Sequence, residues 1–129
     1  MSQEDFRDPS FIKDLSRESK ERTVQELEAM GNRLGFSETE ELSNLEQRIV
    51  SNPEQRSQLM GEWQSSAEKV VDALSEEKKI NAQLGLIVRQ AAILQKAGMR
   101  DDYNQALEQA IDIAYQLGED DIAQKLKKF

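Results

Sequence analysis

An all-α fold is what this sequence predicts, and three observations predict it. Apolar residues recur at three- and four-residue steps along most of the chain, the spacing of a helix face. Both prolines stand directly behind a capping residue, in Asp8-Pro9 and Asn52-Pro53, and so mark first helical positions, where the missing N–H costs nothing. No segment alternates apolar and polar residues between turn signals as a half-buried strand would. The pattern predicts five or six amphipathic helices packed as antiparallel hairpins in an irregular bundle, with residues 1–20 as an N-terminal arm and residues 21–129 as a single helical domain.

The first helix opens at Pro9 and runs towards Met30, where Gly31, Asn32 and Gly35 tolerate the left-handed conformation of a C-cap. Its apolar residues are uneven: Phe11, Ile12 and Leu15 cluster, Ser16 to Thr23 is polar throughout, and Val24, Leu27 and Met30 resume at three-residue steps. Such a gap cannot bury a continuous face, which sets the front of the chain apart as an arm. The second helix opens on Ser37-Glu38-Thr39-Glu40, a capping-box pattern in which Ser37 and Glu40 serve each other's backbone amides. It carries Leu42, Leu45 and Ile49 on one face and stops before Pro53, because the residue ahead of a proline avoids the helical region.

From Pro53 a third helix bears Leu59, Met60, Trp63, Ala67, Val70, Val71 and Leu74 at helical spacing. Ser75 to Lys79 offers no apolar residue to continue that stripe, so a bend or loop is expected there. An unbroken helix to Ala97 would be about 65 Å long, too long to fold back within so small a domain. The fourth helix spans Ile80 to Ala97, turns Leu84, Ile87, Val88, Ala91 and Leu94 inward, and stops at Gly98. The fifth starts at Asp101 or Asp102 and ends at Leu117 before Gly118, with Tyr103, Leu107, Ala110, Ile111, Ala114 and Leu117 inward. The last has Glu119, Asp120 and Asp121 at its start and Lys125, Lys127 and Lys128 at its end, which suits the helix dipole at both termini, and Ile122, Leu126 and Phe129 form its apolar edge.

Composition narrows the function. A chain of 129 residues buries on the order of 70% of its unfolded surface, enough for one core without metal or disulfide support. It has no His and no Cys, so imidazole acid–base chemistry, phosphotransfer through His, thiol nucleophiles and thiolate metal sites are excluded. A carboxylate-bridged two-metal bundle fails for want of its Glu-x-x-His pairs. Gly-rich phosphate loops, Gly-x-Ser-x-Gly elbows and calcium loops are missing as well. No catalytic residue, cofactor or metal is therefore expected. The net charge of −8 repels phosphate backbones, and only Lys125, Lys127 and Lys128 form a basic cluster, so nucleic acid is not an expected partner. The acidic Met1-Ser2-Gln3-Glu4-Asp5-Phe6 start does not read as an export signal. The most apolar stretch, Leu84 to Val88, is interrupted at once by Arg89 and Gln90, so no membrane span and a cytoplasmic location are expected.

Two features point to partner binding. Phe6, Phe11, Ile12 and Leu15 stand in a segment otherwise rich in Asp, Ser, Arg and Lys, either as an initial helix that folds onto the core or as an amphipathic arm that docks on another protein or a second copy of this chain. Trp63 is the only tryptophan; the stripe through Leu59, Ala67 and Val70 favours a core anchor, while the enrichment of Trp at interfaces makes it the fifth candidate contact.

Residues 80–129 carry Gln90-Ala91-Ala92-Ile93-Leu94-Gln95-Lys96-Ala97-Gly98, then Tyr103-Asn104-Gln105-Ala106-Leu107-Glu108 and Ala114-Tyr115-Gln116-Leu117-Gly118-Glu119. This run resembles a tetratricopeptide-type helical hairpin followed by the start of another. It departs from that pattern at position 113, which is Ile, with alanines displaced to Ala110 and Ala114. The resemblance implies peptide or protein binding on the inner helix face, without catalysis. Together these features predict a small, acidic interaction module, an adaptor, chaperone-like or regulatory protein. The rival readings are an enzyme or small-ligand binder with a pocket between helices, and a structural subunit of a larger assembly.

Overall fold

The apolar stretch around Leu84 to Val88 becomes the middle of a helix, Glu76–Lys96, that is buried on nearly every side. Ala82, Leu84, Gly85, Leu86, Val88, Arg89, Ala91, Ala92, Ile93 and Leu94 are all buried, and a helix apolar around most of its girth belongs inside a fold. The computed structural model describes residues 9–129, with side chains from Ser19 onward. In chain order its helices are α1 (Pro9–Arg33), α2 (Glu40–Ser51), a single 3₁₀ turn at Pro53–Gln55, α3 (Arg56–Asp72), α4 (Glu76–Lys96), α5 (Arg100–Gln116) and α6 (Asp120–Leu126). There is no strand among the described residues, and no helix of theirs is long and apolar enough to cross a membrane.

α4 is the spine: α1, α3 and α5 all pack against it, α2 touches it, α2 pairs with α3, and α6 pairs with α5. Along α1 and α4 the paired levels run in opposite order, Gly31 at Gly85, Glu28 at Arg89 and Lys96, and Lys20 beside Gln95 and Gly98, so the two helices are antiparallel. The chain thus passes from α1 into the α2–α3 hairpin before returning as α4 to lie against α1. Trp63, Phe36, Leu27, Leu42, Ile49, Leu59, Leu84, Ile93 and Leu126 are fully buried at its centre.

Three boundaries differ from expectation. α1 does not stop at Gly31 but continues through it to Arg33, and Gly35 with φ +93° makes the turn instead. Gly31 is in the helix because the backbones of α1 and α4 meet there: a Cβ on Gly31 would stand 3.2 Å from the Gly85 carbonyl oxygen. The α2 cap is Thr39 rather than Ser37; Thr39 Oγ1 accepts from the Leu42 amide at 3.2 Å. The chain stays extended to Thr39 because Phe36 is anchored in the core and Glu38 is turned onto Arg89. Finally, the break after the third amphipathic stripe falls at Ala73–Ser75, and α4 starts four residues before Ile80. Glu76 and Glu77 occupy its first turn, where negative charge suits the N-terminal dipole, and Ile80 remains 52% exposed.

Candidate interaction surfaces and a buried ion cluster

Arg89 is a charged side chain on the most buried helix, and the fold answers it with carboxylates from three other segments. Its Nη2 donates to Glu38 Oε2 in the α1–α2 loop and to Glu46 Oε2 of α2 at 3.2 Å, while its Nη1 lies 3.5 Å from Glu28 Oε2 of α1. Two helical turns further along α4, Lys96 Nζ donates to Glu46 Oε1 at 2.9 Å and pairs with Glu28 Oε1 at 3.2 Å. Glu46 and Arg89 are the buried charged residues of the described core. Burying a charge is unfavourable unless it is paired and hydrogen-bonded, and this cluster ties α1, α2 and α4 together by that requirement.

The cluster's protonation follows from its composition. Burial first, then the hydrogen bond to Glu46 and the charges of Glu46 and Glu28, push the Glu38 carboxyl up to about 7 against the opposing pull of Arg89. Burial also raises Glu46, but hydrogen bonds from Glu38 and Lys96 and the charges of Arg89 and Lys96 outweigh it and hold Glu46 below its ordinary value. Lys96 is lowered by burial and raised more strongly by Glu46 and Glu28, for a net rise. Of the two, Glu38 is the carboxyl displaced towards neutral pH and Glu46 the one held ionised.

Two open surfaces lie elsewhere. A groove of about 990 Å³ between α2 and α3 is lined by Glu40, Glu41, Asn44, Leu45, Arg48, Gln58, Gly61, Glu62, Ser65 and Ser66. A second runs along α4, where α3 and α5 both pack on α4 with no pair of their own Cα atoms within 8 Å. It comprises cavities of about 590 Å³ and 270 Å³ that share Gln90 and Gln109 in their walls. None of the groups with shifted titration, Glu38, Glu46, Lys96 and Tyr103, lines either surface. Among the described residues no group of His, Cys, Asp or Glu side chains is arranged to hold a metal ion.

Of the five contacts expected from sequence, Trp63 has no exposed surface: its ring packs at 5.9 Å from that of Phe36, so it occupies the core position that the α3 stripe favoured and offers no surface to a partner in this fold. Phe6 lies outside the described residues, as do the side chains of Phe11, Ile12 and Leu15, whose backbone belongs to α1. Of the five side chains, Trp63 is the one among the described residues. The ion cluster escaped sequence reasoning, although one signal pointed to it: Arg89 sits between Val88 and Ala91 on a helix whose inward positions crowd every side. Compared with models of known protein families, with curated proteins and with solved structures, the chain finds no match in any of the three.

Proposed function

We propose that this chain is an acidic protein–protein interaction module that works by binding and carries out no catalysis. The observation that supports it best is the pair of open grooves formed by helix sides, walled largely by amides and carboxylates, with Glu38, Glu46 and Tyr103 away from them in ion pairing and core packing, while Lys96, in the wall of a separate opening of about 470 Å³, is held by Glu28 and Glu46. A catalytic site needs titratable groups shifted where substrate can reach them, and a binding surface does not. Phe6, Phe11, Ile12 and Leu15 add an amphipathic segment suited to docking on another protein or a second copy of this chain.

The test compares the full chain with a Phe11→Ala/Ile12→Ala variant. Each is used to capture partners from its native cell and is examined by sedimentation for self-association. A stoichiometric polypeptide or a defined oligomer, weakened at least about tenfold in the variant with helical content unchanged, is the expected result. A tightly co-purifying metabolite with no polypeptide partner and no self-association would overturn the reading.

A further inference from the structure

We propose that the groove along α4, between α3 and α5, holds an extended polypeptide segment bearing Lys or Arg side chains. The proposal rests on the interaction-module reading and names the site and partner chemistry within it.

The groove runs where α3 and α5 flank α4 and leave its glutamines and Ile87 accessible. α3 and α5 pack on it from two sides with no pair of their Cα atoms within 8 Å, and Leu86, Ile87 and Leu94 line the floor between them, Ile87 being the most exposed of the three. Its walls carry five glutamines, Gln64, Gln83, Gln90, Gln105 and Gln109. Among the described residues none of these amides makes a hydrogen bond to another protein group, whereas Gln124, for comparison, donates to the Tyr115 hydroxyl. A primary amide presents two donors and an acceptor together. That is the complement of a peptide group, and only an extended segment leaves its own N–H and C=O groups free to meet it, since a helix satisfies them internally. From Gln83 to Leu94 the groove follows α4 for about 16 Å, the length of about five extended residues. Alternate side chains of such a segment would point down to the apolar floor and up to solvent, the division of labour that strand-like recognition uses.

Charge decides the sequence class. Glu68 and Asp72 stand towards one end and Asp102 towards the other, and no Lys or Arg lines the groove. Positive side chains on the segment meet carboxylates at both ends, within a chain whose net charge of −8 repels acidic ones.

The test pans a random-sequence peptide phage library on the purified full chain and measures the recovered peptides by fluorescence anisotropy. Peptides rich in Lys and Arg, unstructured when free, are expected. Their affinity should fall as salt rises and drop at least about tenfold for a Gln90→Ala/Gln109→Ala variant, with helical content unchanged, while Gln58→Ala in the α2–α3 groove leaves it as it was. Failure to recover peptides, recovery of acidic, neutral or helix-forming ones, or full binding by the double variant would overturn the proposal. Native-cell capture separates the two readings: a polypeptide held equally by the full chain and the double variant overturns the groove alone, and one held by neither overturns the interaction reading with it.

Discussion

Arg89 and Lys96 face three carboxylates, Glu28, Glu38 and Glu46, so the cluster is balanced only while one carboxyl keeps its proton. Glu38 is the carboxyl whose titration is pushed up to about 7. The linkage has a definite sign. Between 4.5, the ordinary value, and about 7 the folded chain holds a proton on Glu38 that the unfolded chain has released, so stability falls as pH rises through that window and is flat above it. Glu46, depressed, contributes stability above its ordinary value that is lost as pH falls through its lower folded one; Lys96, raised, contributes stability lost only as pH climbs through its elevated value. Among the shifted groups Glu38 alone titrates between pH 5 and 8. Thermal melts of the wild type should therefore be higher at pH 5.5 than at pH 8, by a free energy on the order of 1–3 kcal/mol. Glu38→Gln keeps a neutral hydrogen-bonding side chain and should abolish the difference by raising the melt at pH 8. A variant with the same slope as wild type would place the titrating proton elsewhere.

At the scale of helices, two glycines inside helices play opposite parts. A Cβ on Gly85 would stand 2.9 Å from the Phe36 Cβ and 3.0 Å from the Gly31 carbonyl oxygen, so Gly85→Ala forces α1 and the α1–α2 loop off α4. Overpacking of this kind costs about 1–3 kcal/mol, more than the roughly 1 kcal/mol that alanine gains over glycine in a helix, so a net loss is expected in denaturant unfolding. Gly61, exposed in the interior of α3 beside the α2–α3 groove, has nothing within 4 Å of where its Cβ would be, and Gly61→Ala should stabilise by up to about 1 kcal/mol. Equal effects from the two substitutions would refute the close crossing of α1 and α4. The same contrast explains what the sequence made legible. Helix identity was readable because stripes such as Leu42, Leu45, Ile49 and Leu59, Trp63, Ala67 depend on local spacing alone. Gly31 looked like a stop because its reason for being glycine lies on α4, more than fifty residues away in sequence. Ser37 looked like a cap because the pull of Arg89 on Glu38 is equally nonlocal. The α4 groove was illegible for a related reason: it is made by the spacing of two helices on a third, which no local pattern encodes.

For the whole molecule, the question is where the cooperative unit begins. α4 ends at Lys96, level with Lys20 and Glu21 of α1, so α4 offers no further turn to the residues before them. The described core starts at Val24, and from there α1 is held by Val24, Leu27 and Met30 in the core and by Glu28 in the ion cluster. Ser16 to Thr23 carries no apolar residue, so residues 1–20 gain little from the core across that gap. Local opening of that segment then costs far less than global unfolding. Deleting residues 1–20 should leave helical content per residue and a single cooperative melt in place, with the midpoint moved by no more than about 5 °C, which corresponds to roughly 1 kcal/mol for a domain of this size. Native-state hydrogen exchange supplies the internal control: amides around Leu107 should exchange only through global unfolding, and those of residues 9–20 many times faster. Loss of the cooperative melt on truncation, or equal protection of the two regions, would make the front of the chain part of the core, and Phe11, Ile12 and Leu15 would then be folding residues rather than docking ones.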